Sequence, residues 1–268
     1  MKIINLNTDF ILTIPYLMAV SGHKKPPVKT LLPVYEGTVD SLPKGIEALV
    51  TVSDLQGRIM VDGKDILMGE VVPETLYNFM RSTYPDLNLD KVGVLLCGDL
   101  FAHLDQRGGL GDVRKVWQAF NWFFGWVAGV AGNHDSFGTE QEFEEFKKEA
   151  NIHYLQAEIQ SIKGLKIGGM SGVVGKSKKP NRIPEKTYTS QLKRIIEQRP
   201  DLILLHQGPN TAWNPYKGSF QIRKMVEQYA SSLICFGHEQ WPDLLNSLEN
   251  GTQLLNLEGR VVILTTEK

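Results

Sequence analysis

From residue 48 onward the hydrophobic positions fall into short unbroken runs, each cut off by a polar group. ALVTVS runs into Asp54, VGVLLC into Gly98-Asp99 and WVAGVA into Gly132-Asn133. LKIGGMSG, DLILL and SLICF follow, and the last two stop at His206 and Gly237-His238. Apolar runs of about four to eight residues bounded by glycine or polar residues predict strands buried on both faces. Between the runs the apolar spacing lengthens to that of a helix, over 73–84, 112–124, 140–150, 188–199 and 219–230. Thr139 with Glu142 three residues later predicts a capping box at the third of these. Strands alternating with helices imply a layered α/β core. The closing stretch, TQLLNLEGRVVILTTEK, reads as two strands joined at Glu258-Gly259.

Residues 1–47 have a different character. Two short apolar runs are followed by prolines at 26, 27, 33 and 43, which exclude long helices there. A β-containing N-terminal extension packed on or beside the core is expected, with the main domain over 48–268.

Composition narrows the function classes. The 268 residues carry 29 basic and 30 acidic side chains, a net charge of −1. That balance lacks the basic surplus of a nucleic-acid or anionic-membrane binder. Cys97 and Cys235 each lie in an apolar run and read as buried reduced thiols rather than a disulfide framework. No apolar run reaches membrane-spanning length. The stretch over 10–20 contains Pro15 and is preceded by Asp9 and by Lys2 alone as a positive group, so it reads as structure rather than as a signal. A cytoplasmic protein with no membrane association is expected.

The strand ends hold the chemistry: Asp54, Gln56, Asp99, Asn133, His134, Asp135, His206, His238 and Gln240, including three of the chain's six histidines. Loops at strand ends converge at one sheet edge in α/β proteins, and these are metal-ligand, acid/base and hard-oxygen side chains. Any one alone is ordinary. In order, SDLQG, CGDLFAH, AGNHDS, LLHQGPN and FGHEQ resemble the calcineurin-like metallophosphoesterase family, whose pattern is Asp-x-His, Gly-Asp, Gly-Asn-His-Asp/Glu, a lone His and Gly-His-x-His, each after a strand.

The resemblance implies a four-layer sandwich, two mixed β-sheets face to face with helices outside. It also implies two divalent metal ions. Asp99 would bridge them; Asn133, His206 and His238 would complete the second position; Asp54 with Gln56 and Gln240 would hold the first. His134 would protonate the leaving oxygen, oriented by Asp135. Ions about 3.5–4 Å apart can clamp a phosphoryl group and supply hydroxide at neutral pH. Hydrolysis of a small phosphomonoester or phosphodiester follows as the expected activity.

Two departures qualify this. Both histidines of the first position are glutamine here, Gln56 and Gln240. Either half of the centre is lost, or the site is retuned from zinc or iron towards manganese or magnesium, because a glutamine offers a neutral hard oxygen in place of an imidazole nitrogen. On the second reading the first ion binds more weakly than the second. Position 102, where relatives often carry another Asp, is Ala; His103 follows, and then the Gly-rich insertion LDQRGGLGD. Arg107 in that insertion, and Arg58, are candidates to contact a substrate phosphate. The basic segment over 175–186 is either a lid for an anionic substrate or a solvated loop. The aromatic stretch from Trp117 to Trp126 reads as core. The rival to an esterase is a non-catalytic binding module of the same fold holding one ion or none.

Overall fold

The computed structural model describes residues 1–20, 25–105, 108–176, 178–211, 216–229 and 233–267. Strands β1 (Ile3–Leu6), β2 (Leu12–Met18) and β3 (Val28–Val39) precede the first wholly buried strand, β4 (Ala48–Ser53), and the hairpin β5 (Arg58–Val61) and β6 (Lys64–Leu67). Next come α1 (Met68–Thr83), β7 (Val92–Leu96), β8 (Gly111–Asp112), α2 (Arg114–Phe123), β9 (Trp126–Gly129), β10 (Asp135–Ser136), α3 (Glu140–Phe146) and β11 (Ile152–Tyr154). The second half runs β12 (Glu158–Ile162), β13 (Leu165–Met170), β14 (Val173–Val174), β15 (Arg182–Ile183), α4 (Glu185–Ile196), β16 (Leu202–Gln207), α5 (Phe220–Tyr229), β17 (Leu233–Gly237), β18 (Leu245–Ser247), β19 (Gln253–Asn256) and β20 (Arg260–Thr266).

Two mixed sheets result. The larger is ordered β11-β9-β7-β4-β20-β3-β2-β5-β6, with β1 beside β3; the smaller is β12-β13-β16-β17-β19-β18. Alternation along the strands divides the apolar side chains among three cores, because successive residues face opposite ways. Val50, Val52, Val94 and Val127 join an outer core with Leu76 of α1 and Trp117 of α2. Leu49, Leu95, Ala128, Leu204 and Cys235 fill the space between the sheets. Ile203, Leu205 and Ile234 pack on Leu192 of α4 and Val226 of α5. Helix, sheet, sheet, helix is the resulting four-layer α/β sandwich. Both cysteines are free and buried in the middle core. Among the described residues, no helix is long and apolar enough to cross a membrane.

The structure departs from the sequence reading in several places. The first helix begins at Met68, five residues ahead of the residue-73 start that the spacing predicts, and Pro73 lies inside it. The capping box at Thr139 forms, with Glu142 N–H donating to Thr139 Oγ1 and Thr139 N–H to Glu142 Oε2, but α3 ends at Phe146. Trp117, Phe120 and Trp126 are core, whereas Trp122 on the same helix is 84% exposed. The two closing strands form on either side of Glu258-Gly259 as read, but in different sheets: β19 belongs to the small sheet, while β20 crosses to the large one and inserts between β4 and β3. There Val262 faces Thr51 on one side and Tyr35 on the other. The N-terminal strands therefore continue the large sheet, with Leu32 and Val34 in its outer core.

Candidate metal centre

The parallel strands β4, β7 and β9 of one sheet and β16 and β17 of the other end at a common edge. Each end then turns sharply. Asp54 (φ 54°), Asp99 (φ 54°) and His238 (φ 68°) are in the left-handed region, which costs a non-glycine residue on the order of 1–3 kcal/mol and is concentrated at functional sites. The glycines that precede the ligand candidates are required by close packing. A Cβ on Gly132 would overlap Asp99 Oδ1, and one on Gly237 would overlap Asp54 Oδ2.

Asp99, His206 and His238 present ligand atoms that all lie within 4.8 Å of one another. His206 Nδ1 is 2.8 Å from the Cys97 carbonyl. A carbonyl only accepts, so Nδ1 carries the proton and Nε2 is left with its lone pair towards Asp99 Oδ2, 3.3 Å away. A lone pair against a carboxylate needs a cation between them. Burial opposes charge on His206, yet the Asp99 and Asp54 carboxylates raise its pKa to about 10. A proton fills the cation's part in the metal-free protein, and a divalent ion can replace it. His238 is pushed the other way, to about 4, by burial and then by His206, so it offers a free imidazole lone pair. Asn133 Oδ1 is buried with no hydrogen-bond partner. One carboxylate, two imidazoles and an orphaned amide oxygen fit a divalent cation.

The first position is assembled differently. Asp54 follows β4 and is buried, its Oδ2 accepting from Ser53 Oγ (2.7 Å) and His238 N–H (3.0 Å). Burial, with Asp99 and Glu258 nearby and His206 opposing, raises its pKa to about 8. Gln56 lies against the centre, but it donates from Nε2 to Asp99 Oδ2 at 3.2 Å. Gln240 is exposed and lines the adjoining cleft with Asp54 and Gln56. This donor set does not fit a cation in the way the second one does.

His134 flanks the centre, with Nε2 3.9 Å from Asp99 Oδ2 and its backbone N–H donating to Asp99 Oδ1 at 2.8 Å. The ring is anchored by the Gly109 carbonyl, 2.5 Å from Nδ1, not by Asp135. The Asp135 carboxylate instead accepts from the backbone N–H groups of Asp99 (2.8 Å), Leu100 (2.7 Å) and Gly132 (2.8 Å). It sets the backbone that carries Asp99. Burial and the Asp99 charge raise its pKa to about 6, against the pull of those N–H groups.

Arg58 does not reach the centre. Its guanidinium pairs with Asp65 (2.8 Å) and donates to the Ala102 carbonyl (3.3 Å), tying the β5–β6 hairpin to the loop after Asp99. Arg107 lies outside the described residues. Three contributors were missed from sequence: Ser53 on Asp54, the Gly109 carbonyl on His134, and Asn181, whose Nδ2 donates to the Gly132 (2.8 Å) and Asp135 (2.7 Å) carbonyls. Asn181 is also left-handed (φ 52°), and Pro-Asn-Arg in a basic segment was its only signal.

A centre of this composition, at the strand ends of a four-layer sandwich, is that of a metallophosphoesterase. The model of the calcineurin-like phosphoesterase family matches residues 50–242, and the chain belongs to that family. No curated protein matches it in sequence. Among solved structures it is similar to the Thermus thermophilus sulfate thiohydrolase SoxB in complex with glycerol, at 14% identity and TM-score 0.46, over 85% of this chain. The chain spans 58% of that protein's length. It is also similar to an Aquifex aeolicus protein of unknown function, AQ665, at 13% identity and TM-score 0.33, over 81% of this chain and 95% of that one.

Proposed function

We propose that this protein is a metal-dependent hydrolase of small phosphate esters, with His134 as the general acid and a first metal position altered by Gln56 and Gln240. The observation that carries the reading is the cluster of Asp99, His206 and His238 with His134 at its rim, together with the buried, unpartnered Oδ1 of the neighbouring Asn133. A divalent cation held by Asp99, His206 and His238, with Asn133 as a fourth donor, would polarise the phosphoryl oxygens and make hydroxide available at neutral pH. An ion at the first position would require Gln56 and Gln240 to turn their amide oxygens towards it; it would bind more weakly than the second, and such oxygen donors suit manganese or magnesium.

The chain's own residues supply the rest. Asp135 and Asn181 hold the backbone on either side of Asn133, so the ligands keep their spacing. His134 Nδ1–H stays on the Gly109 carbonyl, which leaves Nε2 as the atom that gives its proton to the departing alkoxide. Positioned acid catalysis of this kind contributes about 10²–10⁴-fold. The near-zero net charge and the absence of a basic surplus favour a small substrate over nucleic acid or a membrane surface.

One observation favours the rival binding module: Gln56 satisfies Asp99 with an N–H rather than presenting an oxygen to a cation. Turnover decides between them. Protein loaded with manganese should hydrolyse chromogenic mono- or diesters, and His134→Ala should abolish the rate without changing metal content. Absence of turnover with every divalent ion and ester type would establish the binding module.

A further inference from the structure

Beside the first metal position lies a cleft of about 440 Å³, within the size range of small-molecule sites. One wall is Asp54, Gln56 and Gln240; the facing wall comes from β2 and β3, through Tyr16, Met18, Leu31, Pro33 and Tyr35. These strands lie before residue 50, outside the span that matches the family. On β3 the alternation is decisive. Leu32 and Val34 are fully buried in the outer core, whereas Leu31, Pro33 and Tyr35 on the opposite face look into the cleft, with Leu31 54% exposed. Phe101 and His103, edge to face at 5.0 Å, close one side.

The cleft offers no uncommitted cation to a second phosphate. Among its described lining residues Arg260 is the one guanidinium or ammonium group, and it donates to the Trp241 carbonyl and Asn256 Oδ1, while the Glu258 carboxylate also lines the cleft. Gly108 reaches the rim, where a side chain on it would stand 3.4 Å from the His134 ring. At this point the rim of the cleft adjoins the His134 ring, the group that protonates the departing alcohol in the proposed reaction.

We propose that the N-terminal strands build a subsite for the alcohol half of the ester, and that it selects uncharged aromatic or bulky apolar alcohols over small polar ones and over groups carrying further phosphates. This rests on the esterase reading, and the test separates the two. Kinetics of manganese-loaded protein are compared for the 1-naphthyl and methyl esters of the same phosphate, and binding of naphthylphosphonate and methylphosphonate is measured by calorimetry. Leu31→Ser, at an exposed position, should lower kcat/KM for the naphthyl ester roughly tenfold, the scale of one lost apolar contact in a pocket, and leave the methyl ester within about twofold. Leu31→Trp, which fills the cleft, should do the same by obstruction. Equal effects on both esters, or none, would overturn the subsite. If no ester turns over, the esterase reading fails; the subsite then stands only if naphthylphosphonate binds more tightly than methylphosphonate and Leu31→Ser removes the difference.

Discussion

Asn181→Asp is nearly isosteric and exchanges a double donor for a pure acceptor. In the native chain Asn181 Nδ2 reaches two carbonyls, Gly132 O at 2.8 Å and Asp135 O at 2.7 Å, and so clamps the loop that carries Asn133 and His134. The aspartate tolerates the left-handed backbone (φ 52°) about as well, so the substitution isolates the amide. Two hydrogen bonds at about 0.5–1.5 kcal/mol each are lost, and two partly buried carbonyls then face a carboxylate. The expected cost is about 2–4 kcal/mol. Urea unfolding should show a lowered midpoint with unchanged slope, and manganese affinity should fall as the loop loosens. Asn181→Gly, which removes the bonds without adding repulsion, should lie between the two. If Asn181→Asp unfolds within about 0.5 kcal/mol of the parent, the clamp is not a stabilising element and the reasoning is refuted.

The chelator-treated protein should lose stability as pH rises, through Asp54 (raised to about 8) between about 3.8 and 8 and through His206 (raised to about 10) between about 6.5 and 10, because the folded state holds more protons than the unfolded one in those windows. His238, lowered to about 4, acts with the opposite sign below 6.5, and added manganese should flatten the upper limb; thermal melts across pH check this. Asn133→Leu should reduce the manganese retained after dialysis, read by elemental analysis, since it deletes the orphaned oxygen. Thr139→Ala should cost about 1 kcal/mol by removing the cap of α3. Trp122→Ser should change unfolding by less than about 0.5 kcal/mol, whereas Trp117→Ala should cost about 3–5 kcal/mol, both by urea titration.

The buried strands were legible because the two-sheet sandwich buries them on both faces, and an unbroken apolar run is the mark of that environment. The Gly-Asp, Gly-Asn-His and Gly-His pairs were legible too, since the glycines are imposed by the contacts just described and the following residue by the turn. Less visible was anything set by a distant backbone atom. A carbonyl such as that of Gly109 has no side-chain signature, and Asp135, next to His134 in sequence, turned its carboxylate to three backbone N–H groups instead. Pro73 misled for a local reason: proline favours the first helical turn, and apolar packing of Met68 and Val72 carried α1 past it. Both closing strands were legible, but not the sheet to which each belongs, because only the pairing partners reveal the change of sheet across Glu258-Gly259.

That change of sheet governs the order of assembly. In the larger sheet β3 touches β4 only through β20, whose partners lie about two hundred residues earlier in the chain. Pairings of such long sequence separation form slowly and late. The strands that supply the ligand cluster can find one another while the chain is still being completed, but β3 has no place beside them in the sheet until residues 260–266 have slid into the gap between β3 and β4. Partly made chains would thus display an open seam beside β4, a ready edge for unwanted strand addition, until the last strand seals it.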